Sequence, residues 1–200
     1  MELLNQDLFL LINAGAEPGS FALYGAIFLA KWLVFLVPLL LVSMWLWGLS
    51  YHRELAIKAL LTILLAVTIS VVLRALWPHP RPFVVGIGHT HLFHAPDASF
   101  PSNHAVFCFA AAFSLWMNGI RKRVGWVLFG LACLVGWARV YLGVHFPFDI
   151  IGGVLVGWAA AVVVNRLVLI RRWGDRLVVA LENGYRRMLA KWIARGWLAE

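Results

Sequence analysis

Cysteine is nearly absent and charge is sparse. The 200 residues hold two cysteines, Cys108 and Cys133, each inside an apolar run with no CxxC or paired spacing. That excludes a disulfide scaffold and a cysteine zinc site, and leaves both as packing residues. Charged side chains make up 13% of the chain, against roughly 25% in soluble domains. Apolar residues fill the space, 62% of the total at a mean hydropathy of +0.84. A soluble domain, a disordered chain and a collagen-like chain are all excluded. At roughly 20 apolar residues per crossing, there is room for about five or six spans and little else. The expected fold class is therefore all-α: a polytopic membrane helix bundle in a single domain over residues 1–200.

Acidic residues are also few, nine Asp and Glu against 17 Lys and Arg, for a net charge of +8. In a membrane protein such an excess speaks first to topology. The bilayer is the expected surrounding, with no nucleic acid and no obligate protein partner. Residues 1–19 lack a basic start and carry Glu2, Asp7 and Glu17, unlike a cleaved signal. Leu3, Leu4, Leu8, Leu11 and Ile12 share one helical face opposite Asn5, Gln6 and Asn13, as in a short interfacial helix ended by Pro18-Gly19-Ser20.

Five apolar stretches follow: about Phe21 to Trp47, Leu55 to Trp77, Phe100 to Met117, Val124 to Leu142, and Asp149 to Ile170. The third is shorter than the rest and opens on polar residues. No internal repeat suggests a transporter built from two halves. Cations divide between the two ends of these spans. Arg53, Lys58, Arg121, Lys122, Arg123 and a tail over residues 171–200 with Arg171, Arg172, Arg176, Arg186, Arg187, Lys191 and Arg195 share one side, which is then cytoplasmic. Leu177, Leu181, Tyr185, Met188, Leu189 and Trp192 give that tail an apolar face, as in a helix lying on an anionic leaflet. The other side carries Arg74, Arg81 and Arg139 as its only fixed cations.

Polar groups at the lip of a span are costly and read as functional when they converge. Arg74 ends the second span, Arg81 opens the outer loop, His104 starts the third span and Arg139 ends the fourth. His145 and Asp149 lead into the fifth, so all six fall at one depth. Each has a task if the ligand is a phosphate ester. Three arginine forks match phosphate oxygens and neutralise charge on a five-coordinate phosphorus without requiring a metal or cofactor. Ser102 and the free N–H groups around Asn103 form a helix N-terminus suited to anions. His145 and Asp149 stand one helical turn apart, so the carboxylate can hold one imidazole nitrogen while the other attacks. His104 can protonate the departing oxygen.

Two features keep alternatives open. His89, His91, His94 and Asp97 read either as a metal cluster, though their spacing matches no zinc pattern, or as a polar rim. Lys31, inside an apolar run, either reaches a charged substrate or snorkels.

The pattern Arg74-x6-Arg81-Pro82, then Pro101-Ser102-Asn103-His104, then Arg139-x5-His145-x3-Asp149 resembles the three-part signature of the type-2 phosphatidic acid phosphatase superfamily, in its membrane branch. Within it, the stretch from His79-Pro80-Arg81-Pro82-Phe83 through Gly88-His89 and His94-Ala95-Pro96-Asp97 to Phe100-Pro101-Ser102 resembles bacterial BcrC-type undecaprenyl pyrophosphate phosphatases. The resemblance implies His145 as a nucleophile forming phosphohistidine, Asp149 as its orienting partner and His104 as general acid. Arg74, Arg81, Arg139, Ser102 and the Asn103 backbone would bind the phosphoryl group of a polyprenyl pyrophosphate lipid. The family's usual Gly is Asn103 here, which bears on substrate choice. Its usual Ser before the last Arg is Ala138, which implies one hydroxyl fewer at the phosphate. The implied activity is release of inorganic phosphate at the outer face of a bacterial inner membrane. Phosphatidylglycerophosphate or phosphatidic acid hydrolysis, transfer of the phosphate to another lipid, and a lipid transporter or flippase remain as alternatives.

Overall fold

The computed structural model describes residues 1–118, 122–166 and 168–199; Arg121, counted above among the cytoplasmic cations, lies outside them. Regular structure among these residues is helical: α1 (Glu2–Ile12), α2 (Ser20–Lys31), α3 (Leu36–Leu46), α4 (Ser50–Leu76), α5 (Asn103–Met117), α6 (Lys122–Tyr141), α7 (Pro147–Arg166), α8 (Val168–Met188) and α9 (Ala190–Ala194). Four stretches are long and apolar enough to cross a bilayer, Ser20–Leu46, Ser50–Leu76, Lys122–Tyr141 and Pro147–Arg166. The first, expected as one run, is broken by a tight turn at Leu33–Phe35. Pro38 explains the break, since it has no N–H for the carbonyl of Val34 one turn earlier.

The shorter third stretch is α5, the centre of the bundle. Its 15 residues give about 22 Å of helix, less than the ~30 Å hydrocarbon core, yet most of its side chains are buried against α4, α6 and α7. Small residues allow the close approach. Gly153 of α7 faces Ala105 and Val106, and Gly157 faces Phe109 and Ala110, where an added methyl would collide with α5 backbone. α4 runs antiparallel to α5, with Thr62 beside Ser114 and Ser70 beside Asn103. Because Ser70 lies six residues before the end of α4 at Leu76, the α5 N-terminus is recessed about 9 Å below that end.

α1 forms as expected, but its polar face does not turn to water. Asn5 is buried and its Oδ1 accepts from the Phe148 backbone N–H at 3.0 Å. Asn13 donates to the carbonyls of His89 and Tyr141 and accepts from the His89 N–H. Both amides satisfy backbone groups left over at helix ends and in the outer loop. Leu3, Leu4 and Leu11 stay exposed, while Phe9 is buried edge-on against Phe146.

The tail also does more than lie on a leaflet. Arg53, read above as one cytoplasmic cation among several, is completely buried beneath α8. It donates to the carbonyls of Trp45 (3.0 Å) and Ala199 (2.8 Å), pairs with Glu182 (3.5 Å) and stacks 4.5 Å from the Tyr185 ring. In the part of α8 whose side chains are described, residues 176–188, Val178 and Tyr185 are buried, whereas Leu177, Leu181 and Met188 remain exposed.

Candidate active site

The C-termini of α4 and α6, the N-termini of α5 and α7, and the loop 77–102 all meet at one end of the bundle. Gly143, at φ +79°, turns the chain after α6, and a side chain there would strike the His89 carbonyl. The turn delivers His145, which is 1% exposed, immediately ahead of α7. Pro147 takes the first position of that helix, where its missing N–H costs nothing. Asp149, in the first turn of α7 and also 1% exposed, reaches back to accept from the Phe146 N–H at 2.8 Å, as in a capping box.

The same oxygen, Oδ2 of Asp149, accepts from His145 Nδ1 at 3.2 Å and from the Ser99 hydroxyl at 2.5 Å. On the opposite edge of the imidazole, Nη1 of Arg81 lies 3.2 Å from Nε2. A guanidinium can only donate, so Nε2 must carry a lone pair and the ring proton must sit on Nδ1. The imidazole is thus held in the tautomer a nucleophile needs. Burial pushes its pKa down to about 4, against the hydrogen bond and charge of Asp149, so the ring is neutral at pH 7.

Arg81 is as buried as its partner. It also donates to the carbonyls of Val144 (2.8 Å), Asp97 (3.2 Å) and Ala98 (3.4 Å) and to the Asp97 carboxylate (2.8 Å), and burial lowers its pKa. Asp97 also pairs with Arg74 at 2.5 Å, which joins the first two arginines of the sequence pattern through one carboxylate. Burial would raise that carboxyl, but the Arg81 guanidinium bonded to it prevails and holds it below its usual range.

Arg139 is 3% exposed, and its Nε and Nη2 have no hydrogen-bond partner among the described residues; neither does the fully buried Ser102 hydroxyl at the N-terminus of α5. Buried donors of this kind are expensive unless an acceptor meets them. His104, in the first turn of α5, lies within electrostatic reach of Arg139, His145, His94 and Arg81. The residues expected to converge therefore do so, from four parts of the chain.

Asn103, Ala138 and the loop histidines have the following surroundings. The Asn103 side chain is anchored to α4, its Oδ1 accepting from Ser70 Oγ at 2.7 Å, while its amide and backbone N–H groups remain as donors. Ala138 removes no phosphate-facing hydroxyl, since it is buried among Ala26, Ala30, Leu142 and Val144. Of the loop histidines, His89 and His91 have ring centroids 6.5 Å apart and His91 is bonded to the Gly15 carbonyl, whereas His94 stands beside His145. The described residues gather no group of three or more such side chains as metal ligands. Lys31 is exposed in the last turn of α2, with no ion pair among the described residues and no described contact to the cluster.

Ser99 and Ser70 were not singled out in the sequence. No spacing rule marks a serine in an irregular segment, or one inside an apolar helix, as a partner of residues 33 to 50 positions away.

The PAP2 superfamily matches residues 55–173. This chain belongs to the PAP2 superfamily. It is a multi-pass membrane protein of that family, and the three motifs that assemble the cluster lie inside the matched region. YbjG of Escherichia coli (strain K12), provisionally named an undecaprenyl-diphosphatase, is 41% identical over 202 residues, covering 100% of both chains. The undecaprenyl-diphosphatase BcrC of Bacillus subtilis (strain 168) is 32% identical over 155 residues, 76% of this chain and 78% of BcrC. Among solved structures, Aquifex aeolicus LpxE superposes with a TM-score of 0.66 at 26% identity, covering 82% of this chain and 96% of LpxE.

Proposed function

We propose that this PAP2 protein is an undecaprenyl-diphosphatase, hydrolysing the lipid carrier diphosphate to the monophosphate and inorganic phosphate. The observation that carries the chemistry is the pairing of a tautomer-fixed His145 with buried, unpartnered donors on Arg139 and Ser102. The full-length likeness to YbjG, supported by BcrC, carries the choice of lipid.

In this reading the terminal phosphate sits among Arg139, Arg81, Arg74, the Ser102 hydroxyl and the N-terminal N–H groups of α5. Nε2 of His145 attacks the terminal phosphorus in line with the bridging oxygen. The bond from phosphorus to that oxygen breaks, and its electron pair leaves with the lipid monophosphate. His104 supplies the proton the leaving oxygen takes up. Asp149 stabilises the positive ring of the phosphohistidine, and the arginines take up the negative charge of the five-coordinate state. Water, deprotonated by the now neutral His104, then releases inorganic phosphate and regenerates His145.

The site belongs at the outer face, because Arg53, Lys58, Lys122 and Arg123 lie at the opposite end of the bundle. Exposed Leu76, Trp77, Val84 and Val85 around it suit lipid tails arriving from the outer leaflet.

Phosphate release from undecaprenyl diphosphate by detergent-purified protein tests the proposal, comparing wild type with His145→Ala, with and without EDTA. Release that survives chelation, is blocked by orthovanadate and is lost in the variant is the expected result. Turnover only of phosphatidylglycerophosphate or phosphatidic acid would reassign the substrate. Labelling that finds the site on the cytoplasmic face would overturn the orientation.

A further inference from the structure

One titratable side chain at the cluster has no part in the chemistry above. The His94 ring stands edge-on to His145, with centroids 6.2 Å apart at 71°. It is within electrostatic reach of Arg81, Arg139 and His104. Its Nδ1 donates to the carbonyl of Ala95 at 3.0 Å, with Asp97 Oδ1 at 3.6 Å. A carbonyl only accepts, so the Nδ1 proton is committed and Nε2 is left for another partner.

His94 is also one wall of an open cavity of about 500 Å³, whose remaining walls are Phe83, Thr90, His91, Leu92 and Phe93. Phe93 is 99% exposed, and Val84 and Val85 are exposed nearby in sequence. The imidazole therefore stands between the catalytic cluster on one side and an apolar-rimmed cavity on the other.

A diphosphate ester poses a problem that a monophosphate ester does not. Its leaving group is itself a phosphate, and the charge on that second phosphate lies beyond the groups that receive the first. Resting on the proposed diphosphatase activity, we infer that His94 binds the phosphate that remains on the lipid, with the first isoprenoid units in the cavity beyond it. His94 thereby sets the preference for lipid diphosphates over lipid monophosphates. The contact is an N–H···O⁻ hydrogen bond from Nε2 of the His94 imidazolium, which takes up its second proton from solvent as the anionic phosphate arrives. No bond of the lipid monophosphate is made or broken by it. Its place next to the leaving oxygen lets it act as charge appears there, while His145 and His104 carry the covalent and proton-transfer steps.

The test compares wild type, His94→Ala and His94→Gln on farnesyl diphosphate and on a short-chain phosphatidic acid in mixed micelles. Inorganic diphosphate and orthovanadate serve as competing inhibitors. In His94→Ala, kcat/KM for the diphosphate lipid should fall by at least about tenfold more than for the monophosphate lipid, the size of one hydrogen bond to a charged group. The inhibition constant for inorganic diphosphate should weaken relative to that for orthovanadate by a similar factor. His94→Gln, which keeps a donor of similar reach, should recover part of the discrimination. Equal losses on both lipids, or an unchanged ratio of inhibition constants, would overturn the inference while leaving the diphosphatase reading intact. Wild type that hydrolyses only the monophosphate lipid would overturn the reading on which it rests.

Discussion

Replacing Asp149 separates two contributions of its carboxylate, because three donors converge on the same oxygen. The His145 ring, the Ser99 hydroxyl and the Phe146 N–H all point at Oδ2. In Asp149→Asn the amide has one acceptor, and turning it to that position keeps all three hydrogen bonds. The ring proton then stays on Nδ1, a choice reinforced by Arg81 at Nε2. What is lost is charge: a neutral hydrogen bond replaces a charge-assisted one beside a ring that becomes positive, a difference of about 1–2 kcal/mol or ~5–30-fold in kcat. Asp149→Ala removes the acceptor altogether. It frees the imidazole to adopt the wrong tautomer, which in a histidine-carboxylate pair costs on the order of 10⁴-fold. It also leaves a buried N–H unpaired at about 1–3 kcal/mol of stability. The assay is steady-state phosphate release, with lipid affinity measured separately and thermal unfolding as the control for folding. Equal damage from Asn and Ala would refute the reasoning, since it would mean that the convergent geometry does not hold the ring.

The remaining expectations concern pH, a serine and the cytoplasmic end. Because burial lowers the His145 pKa from 6.5 to about 4, the nucleophile stays neutral as pH falls, so a pH profile of kcat/KM should lack an acid limb from this residue near 6.5 and show one well below it. Asp149 opposes that lowering, so Asp149→Asn should move the limb further toward acid. Ser99→Ala removes a donor from Asp149 and should reduce kcat by about tenfold with KM little changed, as kinetics on the purified variant would show. Arg53→Met leaves Glu182 and two carbonyls without their partner and should cost about 3 kcal/mol, read as a fall in Tm with activity retained at low temperature.

Composition and charge placement revealed the bundle because long apolar runs are costly to explain otherwise, and the spacing of Arg74, Arg81, His104, Arg139, His145 and Asp149 exposed the cluster. The details that escaped are those decided by tertiary neighbours. The surroundings of Asn103 depend on Ser70, 33 residues away on α4, and those of Ala138 on α2, which packs over it, and no local spacing encodes either. Arg53 resembled any other cytoplasmic cation, because nothing local announces that α8 folds back over it. In α1, amphipathic periodicity located the helix but misjudged its polar face, since an asparagine can satisfy buried backbone as readily as water.

The bond from Asn5 to the Phe148 N–H links residues 143 positions apart, and that separation sets an order of assembly during synthesis. α1 is made before α7, and its partner at the start of α7 follows roughly 7–30 s later at ~5–20 residues per second. Through that interval the Asn5 amide must wait without the Phe148 N–H it eventually accepts from. The turn bearing His145 gains this brace from Asn5 only once residue 148 has been made. A nascent chain arrested before residue 148 would therefore hold the arginines and both histidines of the cluster, yet lack the contact that fixes the nucleophile's turn.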